Sequence, residues 1–142
     1  MVVNNMVDRN KIDEMIAVQL IPAITKMLKV KDINAKIQGA CTMQNILYID
    51  LLIDVPDSPQ IAKVEIKLDL DILTEEDTCQ GLERWGRFAG LDLDSVTRVK
   101  LRILRVVWDV YDKIRIGAMD KYLNDKLIVE FGDDLGALYY HN

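Results

Sequence analysis

Two cysteines, one histidine and three prolines in 142 residues exclude a good deal of chemistry. Cys41 and Cys79 are too few for a disulfide framework and too isolated for a zinc site, so two reduced thiols are expected. His141 is the single histidine and stands at the penultimate position, where chain ends commonly fray. Histidine-based triads and histidine-ligated zinc hydrolysis therefore lack their residues. No Gly-rich phosphate loop is present, which removes P-loop nucleotide hydrolysis. Nor does any apolar run approach the roughly 20 residues of a membrane span. The longest candidates are broken by Asp50, Asp54, Arg102 and Arg105. The opening MVVNNMVDRN has no basic region followed by a long apolar one, so a cytoplasmic chain without a signal peptide is expected. Internal repeats, low-complexity tracts and linkers are also missing, and residues 1–142 are expected to form one domain.

The residues present, 50% hydrophobic and 29% charged, are those of an ordinary globular protein. The net charge of -5 conceals a segregation. From Asn45 to Glu83 ten acids face only Lys63 and Lys67, whereas from Arg84 to Arg115 eight bases face four acids. A basic stripe beside an acidic pocket suits a phosphate-bearing substrate and its metal.

The chain is organised around Asn45 to Ile72, which reads as two strands joined by a proline-bearing loop. Ala62, Val64, Ile66, Leu68, Leu70 and Ile72 take one parity, and Lys63, Glu65, Lys67, Asp69 and Asp71 the other, giving one apolar and one charged face. Charge complementarity predicts a register with Asp50 opposite Lys67 and Asp54 opposite Lys63, and Glu65 opposite Leu52. The loop Pro56 to Gln60 fixes the reversal.

Around this hairpin, Asn4 to Lys29 has a broad apolar face and predicts a helix that Pro22 kinks or splits. Ile33 to Met43 predicts a first strand. Thr74-Glu-Glu-Asp is a helix start, with a capping threonine and acids in the first turn, and the helix should stop at Gly90. From Val96 apolar residues recur at helical spacing while Arg98, Arg102 and Arg105 line another face, although the alternation Val99 to Ile103 leaves a strand open for the first half. Gly117 should end or bend this segment. Trp85 and Trp108 fall at apolar helical positions and read as core. Lys126 to Tyr140 predicts a hairpin around Gly132-Asp-Asp. The expected fold is α+β: an N-terminal helix, a three-stranded mostly antiparallel sheet, two helices and a C-terminal β-hairpin, in the order αβββααββ.

The order helix, three strands, helix, with Asp50 in the second strand, Glu65-Ile66-Lys67 in the third and Gln80-Gly-Leu-Glu-Arg-Trp85 following, resembles the PD-(D/E)xK nuclease superfamily over about Ile33 to Ala89. Pro56-Asp57 spells the first half of that motif but falls in the loop, so Asp50 is the acid of choice. Some branches carry Gln-Leu-x-x-Tyr on the helix. Here Gly81 stands where that glutamine would fall, Gln80 comes one place early and Trp85 replaces the tyrosine. The resemblance implies a metal-dependent nuclease that hydrolyses phosphodiester bonds. Asp50, Glu65 and the Ile66 carbonyl would ligate Mg²⁺ or Mn²⁺, hard cations that take oxygen donors. Lys67, on the same strand face as Glu65, would orient or activate the attacking water and offset developing phosphate charge. Glu14 and Gln80 are additional candidates, and Arg84, Arg87, Arg98, Arg102 and Arg105 would follow the nucleic-acid backbone.

A second reading competes with this one. A half-buried sheet ordinarily alternates charged with apolar residues, and Asp50 with Lys67 would then be a surface pair. The chain would be a non-enzymatic acidic interaction module binding a protein partner: a regulator, chaperone, immunity or viral accessory protein, or a nuclease fold without activity. Either reading is compatible with a homodimer.

Overall fold

The computed structural model describes residues 9–30, 35–55, 57–73, 95–123, 125–131 and 138–142. The N-terminal helical region comprises α1 (Arg9–Met15), a π-helical turn (Ile16–Leu20) and α2 (Ile21–Val30). The π turn ends two residues before Pro22, which has no N–H to give the Val18 carbonyl and whose ring would collide with it. A turn widened to the i→i+5 pattern accommodates both, so of the kink or split expected at Pro22 the split does not occur. Ile12, Met15, Leu20, Ile24 and Leu28 stay buried along it.

Among the described residues five strands follow: β1 (Ala35–Met43), β2 (Ile46–Asp54), β3 (Ile61–Asp69), β4 (Lys126–Phe131) and β5 (Leu138–His141). They form one sheet in the order β1-β2-β3-β4-β5. The expected three-stranded sheet is thus corrected to five, because the C-terminal hairpin joins it. β1, β2 and β3 form an antiparallel meander, β4 runs parallel to β3, and β5 is antiparallel to β4. A parallel pair needs a long crossover rather than a tight turn. Here the crossover contains α3 (Leu70–Leu73) and α4 (Ser95–Arg115). The helix expected over Thr74 to Ala89, with Trp85, lies outside the described residues.

α4 is helical throughout, so the strand alternative for its first half is excluded. Its buried residues Val99, Ile103, Val107, Val110 and Ile114 recur every three or four positions and face the sheet. Trp108 is only half-buried, its ring set against Tyr111. The helix ends at Gly117, with φ +82°. The Gly117 N–H donates to the Ile114 carbonyl and the Ala118 N–H to the Lys113 carbonyl, the paired bonds of a Schellman C-cap.

The β2/β3 register differs from the one that charge complementarity predicts. Asp50 is opposite Glu65, Leu52 opposite Lys63, Tyr48 opposite Lys67 and Asp54 opposite Ile61. A slip of two residues leaves the apolar face unchanged, so hydrophobicity does not choose between these registers and the turn does. The reversal closes through Val55 N–H donating to the Gln60 carbonyl and Ser58 N–H to the Val55 carbonyl. Asp57 lies in it with φ +60°, a loop residue as expected. Pro59 has no N–H with which to lengthen the ladder.

Each central strand buries alternate residues. Leu47, Ile49, Leu51 and Ile53 of β2, Ala62, Val64, Ile66 and Leu68 of β3, and Leu127, Val129 and Phe131 of β4 lie against the helices in one core. The opposite face carries Tyr48, Asp50, Leu52, Lys63, Glu65, Lys67, Lys126, Ile128 and Glu130, all half-buried or exposed. No described helix is long and apolar enough to cross a membrane.

Candidate functional site

The ladder arranges the charged face in rows across the strands. One row runs Gly39, Asp50, Glu65, Ile128 and His141 from β1 to β5. On one side of it lies Cys41, Tyr48, Lys67, Glu130 and Tyr139; on the other, Lys36, Leu52, Lys63 and Lys126. Lys67 is two residues from Glu65 along β3 and on the same face, because strand side chains alternate.

Asp50 and Glu65 are therefore immediate cross-strand neighbours, an arrangement of like charges that costs stability. Glu65 is compensated on both oxygens. Lys67 Nζ lies 3.9 Å from Oε2 and Lys126 Nζ 3.4 Å from Oε1. Asp50 is compensated less: its Oδ1 is buried and, among the described residues, has no hydrogen-bond partner. Beside it, β1 is bulged between Ile37 and Gly39, and a Cβ built on Gly39 would meet no described atom within 4 Å. Comparison with known proteins finds no matching family model, curated protein or solved structure.

Carboxylate oxygens are the hard donors that a small divalent cation takes, binding through one or two of them and keeping water or substrate oxygens elsewhere. Among the described residues no group of three or more His, Cys, Asp or Glu could hold a metal, so the protein would supply only this carboxylate pair. Ile66 is fully buried on the apolar face, its main chain in the ladder between Ile49 and Val129.

The other expected site residues do not converge with this pair. Glu14 is exposed on α1, whose Ile12 and Met15 pack into the core on the other side of the sheet. Arg98, Arg102 and Arg105 lie on α4, also on that side. Arg102 stacks 5.4 Å from the centroid of Phe131, an apolar-face residue of β4, and Arg105 reaches Asp109 at 4.0 Å. The sheet thus separates these arginines from Asp50 and Glu65, correcting the picture of a basic stripe beside an acidic pocket. Gln80, Arg84 and Arg87 lie outside the described residues.

Three features of this surface escape a strand-by-strand reading. Lys126 and Glu130 belong to the charged face because β4 joins β3. The alternation of Lys126, Ile128 and Glu130 with Leu127, Val129 and Phe131 repeats that of β3, and was the available signal. His141 is not frayed: it lies in β5 with Nε2 3.1 Å from Glu130 Oε2. Asp69, a surface charge by sequence, caps α3, its Oδ1 accepting from the Asp71 and Ile72 N–H groups and from Asn45 Nδ2.

Proposed function

We propose that the chain is a metal-dependent nuclease-like protein acting on phosphodiester bonds of nucleic acid, with Asp50 and Glu65 as ligands for Mg²⁺ or Mn²⁺. The observation that supports it is the register placing Asp50 directly opposite Glu65, with Asp50 Oδ1 buried and unpartnered among the described residues. A sheet built only for stability gains by pairing Asp50 with a lysine. A bound divalent ion would supply Lewis-acid polarisation of the phosphate and a more acidic water. Lys67 holds Glu65 through Oε2 and presents its ammonium to a phosphate over the same face, where it offsets charge developing on the phosphoryl oxygens. Lys126 restrains Glu65 through the other oxygen. Calorimetric titration with Mn²⁺ tests the reading. Heat of binding is expected from the wild type and not from Asp50→Ala or Glu65→Ala, alongside loss of DNA cleavage in both; absence of wild-type binding sinks it.

The competing reading, a non-enzymatic interaction module, draws on the same contacts. Glu65 has lysine partners at both oxygens and needs no metal for compensation. Under that reading Glu65→Gln lowers stability and no divalent cation binds.

A further inference from the structure

The rows of the charged face separate charge by sign. Asp50 and Glu65 stand opposite one another, and so do Lys63 and Lys126 across the parallel β3/β4 pair. Both juxtapositions cost stability, since like charges directly across a ladder repel. The lysine row is completed by Lys36 on β1, separated from Lys63 by Leu52. Lys36 and Lys63 are exposed, and among the described residues neither makes an ion pair. Lys126 is 44% exposed and touches Glu65 through one donor of an ammonium that has three.

The spacing follows from sheet geometry. Neighbouring strands are about 4.8 Å apart, so the row from β1 to β4 extends roughly 14 Å. Two residues along a strand is about 6.7 Å, the approximate distance from this row to the acid pair. A line of three cations, Lys36 and Lys63 exposed and Lys126 half-buried, next to two carboxylates is complementary to a polyanion whose charges recur at short intervals and one of whose linkages lies over the acids.

We infer that Lys36, Lys63 and Lys126 form the backbone-binding row for nucleic acid, holding consecutive phosphates beside Asp50 and Glu65, and that the α4 arginines do not serve that purpose. This rests on the phosphodiesterase reading for its choice of polyanion. Leu52 contributes an apolar step between two of the lysines, and Lys126 keeps Glu65 while donating to a phosphate. The arginines are on the wrong side of the sheet to share the strand that the acids receive.

The test is fluorescence anisotropy of a labelled DNA oligonucleotide, single-stranded and duplex, with EDTA present so that binding is read without cleavage. Each phosphate contact contributes about 0.9 to the salt slope on duplex and about 0.7 on a single strand. Three contacts therefore weaken wild-type duplex binding about 40-fold between about 50 and 200 mM salt. The triple variant Lys36→Gln/Lys63→Gln/Lys126→Gln is expected to lower the duplex slope by about 2.7, and Lys63→Gln alone by about 0.9. The single variant removes an exposed group and leaves Glu65 untouched, which guards against misfolding of the triple. Arg98→Gln/Arg105→Gln is expected to bind like the wild type. Unchanged binding by the lysine variants, loss in the arginine variant, or no wild-type binding to either DNA form overturns the inference. Mn²⁺ calorimetry on the same proteins separates the two claims. Metal binding that survives while the lysine effect is absent leaves the phosphodiesterase reading standing; a lysine effect without metal binding leaves the row standing and removes the ion.

Discussion

The two faces of the sheet obey different rules. On the apolar face, every second residue of β2, β3 and β4 disappears into one core with α1, α2 and α4. On the charged face the same strands set acid against acid and lysine against lysine, and leave a buried oxygen of Asp50 without a partner among the described residues. Packing selects the first arrangement for stability. The second departs from what stability favours at several adjacent positions, and such departures cluster where a protein binds or reacts.

That contrast can be broken experimentally. The largest effect is expected on the apolar face: Ile66→Ala, at a fully buried position between two paired strands, should cost about 3 kcal/mol in urea unfolding. Lys63→Thr on the opposite face should change stability by no more than about 0.5 kcal/mol. Equal losses would erase the distinction. Next, Gly117→Ala should cost about 1 kcal/mol, since it puts a side chain at φ +82° and brings Cβ to 3.3 Å from Asp120 Oδ2. This change in the α4 C-cap should leave Mn²⁺ affinity unaltered.

A smaller change of opposite sign would sharpen the comparison most. Asp50→Asn removes one charge of the like-charged pair and is expected to raise stability by about 0.5 kcal/mol while abolishing Mn²⁺ binding. Destabilisation would show that the carboxylate serves the fold. The smallest effect concerns Tyr111, whose hydroxyl burial pushes its pKa upward, with Asp112 adding to the shift and Arg115 opposing it. The unfolded chain then loses this proton first, so stability should fall as pH rises above about 10. Tyr111→Phe should flatten that decline in thermal melts followed with pH.

Much of the apolar face was legible in the sequence because it is local. The alternation in β3, the helical spacing of α4 and the stop at Gly117 each depend on near neighbours; the last two appear where expected, whereas the strand expected to run to Ile72 ends at Asp69, which caps the helix Leu70–Leu73 instead. The charged face was legible only in part. Asp50, Glu65 and Lys67 are visible as residues of one parity, but their mutual positions depend on a register that apolar patterning leaves free by two residues, and the turn at Val55 to Gln60 decides it. Charge complementarity misled here because these strands do not maximise pairing. The alternation within β4 was readable, but nothing local states that β4 lies beside β3, so Lys126 and His141 could not be placed relative to Glu65. The arginines of α4 were misplaced likewise, since a net charge along the chain carries no information about which side of a sheet it reaches.

The parallel pairing of β3 with β4 also fixes when the charged face comes into being. β1, β2 and β3 are joined by short turns and can pair as soon as they are made, whereas Lys126 reaches Glu65 only after the whole crossover has closed. Closing a long loop carries a larger entropic cost than closing a turn, and non-local pairings form slowly. The meander is therefore expected to mature before the surface it shares with β4. Until the C-terminal strand docks, Asp50 and Glu65 can already face each other while Lys126, one of the two cations that restrain Glu65, is still elsewhere. Completion of the site and completion of the fold are one event.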